Sequence, residues 1–178
     1  MDLPQHCALL VIDMQVALVT GAYREQAVLA TLADVISRAR QTRLPVIFMQ
    51  HNHASFAPMR RGAPGWQLHA GLAALDGDLR VEKTASDAFY QTSLQQNLEQ
   101  LDVDTLIVAG MQSEYCVDAT ARRALSQGFD VILLADCHTT GDGVVSAADI
   151  VAHHNATLAN LAHPEHKITV LDSAELVF

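Results

Sequence analysis

Short apolar runs alternate along the chain with longer segments of helical periodicity. Each apolar run is too short for a buried helix and is bounded by polar residues, glycine or proline, which favours a buried parallel strand. Strands are predicted over 9–12, 45–49, 79–82, 105–109, 131–135 and 168–171. Helices are predicted over 25–41, 92–100, 116–127 and 145–161, where apolar residues recur every three or four positions.

This strand–helix alternation predicts an α/β protein with a Rossmann-like, three-layer fold, in which helices cover both faces of a mainly parallel sheet. The 178 residues suit one domain, 1–178, and no repeat, linker or low-complexity tract divides them. In such folds ligands bind outside the carboxyl ends of the strands. Residues that follow the predicted strands are therefore the candidates for chemistry.

Composition restricts the possible partners. The formal charge of −9 opposes binding to nucleic acid, and no apolar run approaches the roughly 18 residues that span a membrane. Three cysteines at 7, 116 and 137 form no disulfide framework, and the segment MDLPQHC lacks the pattern of a signal peptide. We therefore expect a soluble, cytoplasmic protein that acts on a small molecule.

Cys116 lies where the apolar run at 105–109 gives way to a predicted helix, after Gly110. Free N–H groups and the positive end of the dipole at a helix start favour a thiolate, which is the condition for a nucleophilic cysteine. Free cysteine is also a common core residue. The local pattern therefore leaves a catalytic and a structural role open.

Two charged residues also follow predicted strands. Asp13 comes directly after Ile12, and Lys83 follows the strand at 79–82. Both would reach the edge of the sheet that carries Cys116, Asp13 as a candidate base and Lys83 as a cation beside it. An acid at a strand end often only caps a turn, and a loop lysine is usually solvated, so the structural interpretations stay open.

Four segments in order resemble the isochorismatase-like cysteine hydrolase superfamily, which includes nicotinamidases, N-carbamoylsarcosine amidases and ureidoacrylate amidases. They are ALLVIDMQ at 8–15, VEKTASDAFYQTSL at 81–94, VAGMQSEYCVDATARRAL at 108–125 and ADCHTT at 135–140. The resemblance covers nearly the whole chain. It implies a hydrolase that cleaves a C–N amide or related bond of a small molecule without a cofactor, as a homo-oligomer, either dimer or tetramer.

The resemblance also implies which residues form the site. Asp13, Lys83 and Cys116 correspond to the family's Asp-Lys-Cys triad, and the reaction would pass through a thioester. The bond between Met111 and Gln112 would be cis, and the backbone N–H groups of Gln112 and Cys116 would form an oxyanion hole. Substrate contacts are expected from Phe89, Tyr90, Met111 and Tyr115.

The longest irregular stretch, 51–67, is expected to form a lid over the site. Nicotinamidases carry a metal-binding Asp-x-His pair near this position, whereas this sequence has His51-Asn52-His53, with His69 downstream. The acidic ligand is therefore missing. We predict that no metal is bound, and that these imidazoles make polar lid contacts or face solvent.

Other functions stay open. The chain has no G-x-G-x-x-G, G-x-x-x-x-G-K-[ST] or G-x-S-x-G segment, which disfavours nucleotide binding and a serine nucleophile. The alternatives are an isochorismatase-type vinyl ether hydrolase that needs an acid but no thiol, a non-catalytic flavodoxin-like binding module, and an interaction protein that has lost activity. An enzyme requires Asp13, Lys83 and Cys116 around one cavity, whereas a binding module does not.

Overall fold

A six-stranded sheet forms the centre of the protein, and the computed structural model describes all residues, 1–178. All neighbouring strands pair in parallel, in the order β3-β2-β1-β4-β5-β6. The strands are β1 Cys7–Ile12, β2 Val46–His51, β3 Leu79–Lys83, β4 Thr105–Met111, β5 Asp130–Thr139 and β6 Ile168–Leu171. The helices are α1 Val16–Val19, α2 Glu25–Gln41, α3 Leu94–Gln100, α4 Asp118–Ser126 and α5 Ala147–Ala159. The predicted α/β fold with a parallel sheet is confirmed.

Helices cover both faces of the sheet and enclose two cores. Alternate side chains of a strand point to opposite faces. Ala8, Leu10 and Ile12 of β1 accordingly pack with α3, α4 and α5, whereas Leu9 and Val11 pack with α2. Burial of one large aliphatic side chain contributes about 1.5–3 kcal/mol. Burial on both faces explains why β1 is an uninterrupted apolar run, and it confirms the predicted three layers.

Helix α2 matches its predicted bounds because its apolar residues follow a single face. Its buried side chains recur at intervals of one, three or four positions, which places them in one stripe against the sheet. They are Val28, Leu29, Leu32, Val35, Ile36 and Ala39. The protein has no helix that is both long enough and apolar enough to cross a membrane.

Strand β4 approaches β1 through a main-chain contact that only glycine permits. Gly110 pairs with Ile12 and has a φ of +124°. A Cβ atom at this position would lie 2.1 Å from the carbonyl oxygen of Ile12, far inside van der Waals contact. The absence of a side chain therefore lets the turn after β4 lie next to Asp13, the residue that follows β1.

The segment after β4 differs from the predicted helix. A π-helical turn occupies Ser113–Val117, and α4 begins only at Asp118. Cys116 thus lies in the π-helical turn and precedes the α-helix in which it was predicted. Such turns are rare and are frequent at functional sites, because the wider turn redirects side chains.

Candidate active site

Asp13 and Lys83 form a buried ion pair at the carboxyl edge of the sheet. Asp13 follows β1 in a left-handed backbone conformation with a φ of 51°, which aspartate adopts more readily than most residues. Lys83 is the last residue of β3. Its Nζ lies 2.6 Å from Asp13 Oδ2, and both side chains have 0% exposure. Burial of two charged groups requires such a pairing, because each offsets the lost hydration of the other.

The ammonium of Lys83 is held by further acceptors. It donates to the carbonyl oxygens of Ala85 at 2.9 Å and Ser86 at 3.4 Å. It also lies 3.2 Å from Nδ1 of His51. Lys83 is therefore fixed inside the protein, and the alternative of a solvated loop lysine is excluded.

Cys116 lies beside the same groups. Its Sγ is 3.9 Å from His51 Nδ1, and the ligand atoms of Asp13, His51 and Cys116 all lie within 4.8 Å of one another. Burial and the negative charge of Asp13 raise the pKa of the Cys116 thiol to about 12, against the opposing effect of Lys83. Burial and Asp13 thus oppose the thiolate that the helix start was expected to favour. The thiol keeps its proton until a neighbouring group accepts it.

Side chains from β5 and α5 anchor the π-helical turn. The hydroxyl of Ser113 donates to Nδ1 of His138 at 2.8 Å, and Nε2 of His138 lies 2.7 Å from the amide oxygen of Asn155. Burial lowers the pKa of His138, so its imidazole is the neutral link of this chain. Thr140 makes a second link, because its hydroxyl donates to Glu114 at 2.9 Å. The turn that carries Cys116 is therefore held from one side by hydrogen bonds.

The backbone at the start of this turn contains a cis peptide bond. The bond between Met111 and Gln112 is cis. The carbonyl oxygen of Gln112 accepts the N–H groups of Tyr115 and Val117, both at 3.1 Å. Gln112 and Cys116 therefore belong to one compact, hydrogen-bonded turn.

A cleft of about 520 Å³ opens beside His51, whose Nδ1 lies near both Lys83 and Cys116, although Asp13, Lys83 and Cys116 do not themselves line it. Its wall is polar and consists of the segments that follow β2 and β3: His51, Asn52, His53, Ala54, Ser55, Thr84, Ala85 and Ser86. The volume is in the range of small-molecule sites. His51 belongs both to this wall and to the cluster around the thiol. Another cleft, of about 410 Å³, includes His6 and Thr105 at the opposite edge of the sheet and is remote from this chemistry.

The structure divides the four predicted substrate contacts into two groups. Phe89 is 8% exposed and stacks on Phe129 with 5.8 Å between the ring centroids, and Met111 is 1% exposed. Both side chains belong to the cores, which does not agree with direct substrate contact. Tyr90 and Tyr115 are 53% and 56% exposed. Only the two tyrosines are therefore accessible to a ligand.

The histidines of this chain do not match the ligand set of a nicotinamidase-type metal centre. Nδ1 of His53 accepts the N–H of Phe56 at 3.1 Å, and Nδ1 of His69 accepts the N–H of Gly71 at 3.1 Å. Nδ1 of His51 faces the Lys83 ammonium, whose positive charge opposes a metal ion at the same nitrogen. The three Nδ1 atoms therefore already have partners, residue 51 offers an imidazole and not a carboxylate, and the nearby carboxylate of Asp13 is paired with Lys83.

His51 is the residue whose position the sequence did not reveal. Strand β2 continues to His51, where it pairs in register with Lys83, so the two side chains emerge beside each other. The predicted strand ended at 49, which assigned His51 to the lid. The pair Gln50-His51 directly after the apolar run could have indicated a longer strand, because a strand can continue through two polar residues.

A family model described as the isochorismatase domain matches residues 7–175. A streptothricin hydrolase of Streptomyces noursei is 38% identical over 146 residues, which cover 80% of this chain and 52% of that protein. The chain thus spans about half the length of this relative. Nicotinamidase 3 of Arabidopsis thaliana is 34% identical over 172 residues, which cover 87% of this chain and 80% of that protein.

The fold is also shared with solved structures. A crystal structure of an isochorismatase family protein superposes with a TM-score of 0.83 at 34% sequence identity. The matched region covers 94% of this chain and 99% of that protein. The family match at 7–175 includes every strand of the sheet and the turns that carry Asp13, Lys83 and Cys116.

Proposed function

The chain belongs to the isochorismatase family, and from this premise we propose that it is a cysteine hydrolase that cleaves an amide or related C–N bond of a small molecule. Asp13, Lys83 and Cys116 are the proposed catalytic residues. The reaction passes through a thioester between the acyl group of the substrate and Cys116. No cofactor takes part in this proposal.

The observation that carries the proposal is the burial of an acid–base pair against a thiol. Lys83 Nζ lies 2.6 Å from Asp13 Oδ2, with both side chains at 0% exposure. A buried ion pair is weak evidence for stability, since apolar residues of similar size often serve as well. Its position beside Cys116 and a cleft is instead typical of a functional site. A non-catalytic binding module would not require a buried ion pair beside a thiol.

In the proposed first step Asp13 accepts the proton of the Cys116 thiol as the sulfur attacks the substrate carbonyl carbon. The raised pKa of Cys116 makes proton removal part of the attack, because no resting thiolate is available. Lys83 stabilises the negative charge that Asp13 and the sulfur share. The C–N bond then breaks, the nitrogen leaves with a proton, and water hydrolyses the thioester.

Negative charge on the carbonyl oxygen requires donors close to the sulfur atom. We assign this role to the backbone N–H groups of Gln112 and Cys116. A preorganised donor of this kind typically contributes about 2.7–4 kcal/mol to transition-state stabilisation. The hydrogen bonds of Ser113 to His138 and of Thr140 to Glu114 support the proposal, because they hold the turn in place before substrate binds.

A substrate screen tests the proposed function. Streptothricin is the first compound to test because of the relative from Streptomyces noursei, followed by other cyclic amides, N-carbamoyl amino acids, ureido acids, nicotinamide and a vinyl ether. We expect release of an amine or of ammonia from at least one amide. Mass spectrometry of a quenched reaction should show Cys116 acylated.

Cys116→Ala is the matched control. The variant should keep the fold, and its amide turnover should fall to the uncatalysed level, since the thioester cannot form without the nucleophile. Turnover of a vinyl ether that survives in Cys116→Ala but is lost in Asp13→Asn would instead establish acid catalysis without a thiol. Turnover of no compound, with an unreactive Cys116, would contradict the proposed function.

A further inference from the structure

We propose that His51 is a fourth catalytic residue, an imidazole that carries protons between the buried Asp13–Lys83 pair and the reacting groups in the cleft. This inference rests on the proposed function and deepens it. It assigns to His51 the protonation of the leaving nitrogen and the deprotonation of the hydrolytic water. The polar lid contacts that the sequence predicted for His51 do not include either step.

Asp13 itself is badly placed for exchange with the substrate. Its side chain has 0% exposure, and the Lys83 ammonium covers Oδ2 at 2.6 Å. The backbone carbonyls of Ala85 and Ser86 hold that ammonium in place. A proton accepted by Asp13 from Cys116 therefore needs another titratable group to reach the cleft.

His51 is that group, because it contacts every member of the cluster. Its Nδ1 lies 3.2 Å from Lys83 Nζ, 3.8 Å from Asp13 Oδ2 and 3.9 Å from Cys116 Sγ. Its side chain is 14% exposed and lines the cleft. One edge of the ring thus faces the buried pair, and the rest of the ring borders the space where a substrate would bind.

The relay uses the tautomer of His51 in which Nδ1 has no proton. In that tautomer Nδ1 can accept from the Lys83 ammonium, which only donates. The neutral ring then carries its proton on Nε2. In this state Nδ1 can accept a proton from the cluster, and Nε2 can donate one to a leaving group.

The backbone of His51 is fixed, which a lid residue would not require. The amide side chain of Gln15 accepts the N–H of His51 at 2.8 Å and donates to its carbonyl oxygen at 3.1 Å. Gln15 is completely buried, and it also donates to the carbonyl oxygen of Trp66 at 2.7 Å. Pairing with Lys83 across β2 and β3 adds a second constraint. Preorganisation of this kind is what proton transfer in a defined direction needs.

During acylation one proton equivalent moves from the thiol to the leaving nitrogen, through Asp13 and His51. The thiol proton passes from Cys116 to Asp13, and the sulfur forms a bond to the carbonyl carbon while the carbonyl electron pair moves to oxygen. Asp13 passes the proton to Nδ1 of His51, and Nε2 gives its own proton to the departing nitrogen as the C–N bond breaks. His51 is left neutral, with its proton on Nδ1.

Deacylation reverses the tautomer. Nε2 of His51 accepts a proton from water, whose oxygen attacks the thioester carbon. The carbon–sulfur bond breaks, and Nδ1 returns its proton through Asp13 to the sulfur of Cys116. The acid product leaves, and the site regains its starting protonation state with no oxidant, reductant or metal.

The variant His51→Asn tests the relay with p-nitrophenyl acetate, a probe that needs no knowledge of the natural substrate. The side-chain oxygen of asparagine can accept from Lys83 where Nδ1 does, but it cannot carry a proton. The p-nitrophenolate anion leaves without protonation, so the burst that reports acylation of Cys116 should change little. Hydrolysis of the acetyl-enzyme should slow by about 10²-fold or more, the usual contribution of a general base.

Two further measurements separate a relay from a structural role. Added imidazole should accelerate deacylation of His51→Asn, because a free base can replace the missing one, and it should have little effect on the wild-type protein. His153→Asn, a change at an exposed histidine of α5, is the matched control and should leave both phases unchanged. His51→Gln provides a second variant if the urea midpoint shows that His51→Asn is unfolded.

The outcomes are distinct. Equal deacylation rates in wild type and His51→Asn would overturn the relay. A burst in the wild type that is lost in His51→Asn would show that His51 positions the nucleophile and does not exchange protons with the substrate. Absence of both p-nitrophenolate release and acetylated Cys116 in the wild-type protein would contradict Cys116 as the nucleophile, and the role of His51 would fall with the proposed function.

Discussion

Replacement of Lys83 by methionine should destabilise the protein strongly. Methionine has a similar length and no charge, so the change removes the ammonium and leaves most of the packing. Asp13 would then be a buried carboxylate without its cation, and the carbonyl oxygen of Ala85 would lose a donor now at 2.9 Å. Both consequences follow from one substitution at a site with 0% side-chain exposure.

Loss of one partner of a buried ion pair costs about 3–5 kcal/mol. The unpaired carbonyl of Ala85 adds to this, although the two contributions overlap because one group makes both contacts. Total stability of a domain is about 5–15 kcal/mol. The expected loss in Lys83→Met is therefore a large share of the total, despite the retention of apolar volume.

Urea unfolding at neutral pH, followed by the fluorescence of Trp66, the single tryptophan, and by circular dichroism, measures this loss. The double variant Asp13→Asn/Lys83→Met is the control. It removes the uncompensated charge and should recover most of the stability. A loss below about 1 kcal/mol in Lys83→Met, or no recovery in the double variant, would refute the reasoning, because the pair would then be hydrated in solution.

Three other predictions concern the thiol, the effect of pH and metal dependence. Iodoacetamide should modify Cys116 ahead of Cys7 and Cys137, since only Cys116 lies beside the Asp13–Lys83 pair. Peptide mapping after brief exposure measures this, and equal modification of all three would contradict it. Burial lowers the pKa of His138, so the unfolded chain binds a proton more readily than the folded one, and the free energy of unfolding should fall as pH decreases below about 6.5. Urea titrations from about pH 8 to about pH 5 should show a weaker pH dependence in His138→Gln than in the wild type; equal slopes would exclude this contribution. Treatment with EDTA should leave amidase activity unchanged and nicotinamide should be a poor substrate, whereas loss of activity that one stoichiometric divalent ion restores would show that the lid binds a catalytic metal.

Much of the fold could be predicted because burial on both faces leaves a direct signal in the sequence. The strand Ile168–Leu171 and the helix Glu25–Gln41 match their predicted bounds. The ends of β2 and β5 did not follow from the sequence, since both strands continue into polar residues. Hydrogen bonds to neighbouring strands, and not apolar periodicity, define those ends.

The candidate site, like the fold, could be predicted only in part. Asp13, Lys83 and Cys116 could be located because each lies at or after the end of a strand, in a recognisable segment. His51 could not be placed beside them, because its neighbour depends on the pairing register of β2 and β3, which links residues far apart in the chain. The contact of Ser113 with His138 was equally hidden, since the partner lies on another strand.

The contact between Gly110 and Ile12 has a consequence for how such proteins can diverge. Because main-chain atoms alone make this contact, the separation of the turns that carry Asp13 and Cys116 does not depend on the size of any side chain. Substitutions in the cores can therefore accumulate without changing the distance over which a proton has to move. Apart from His51, the side chains of the cleft wall after β2 and β3 are under no such restriction. Descendants of this sequence can acquire new substrates by exchange of wall residues, whereas position 110 must stay glycine throughout.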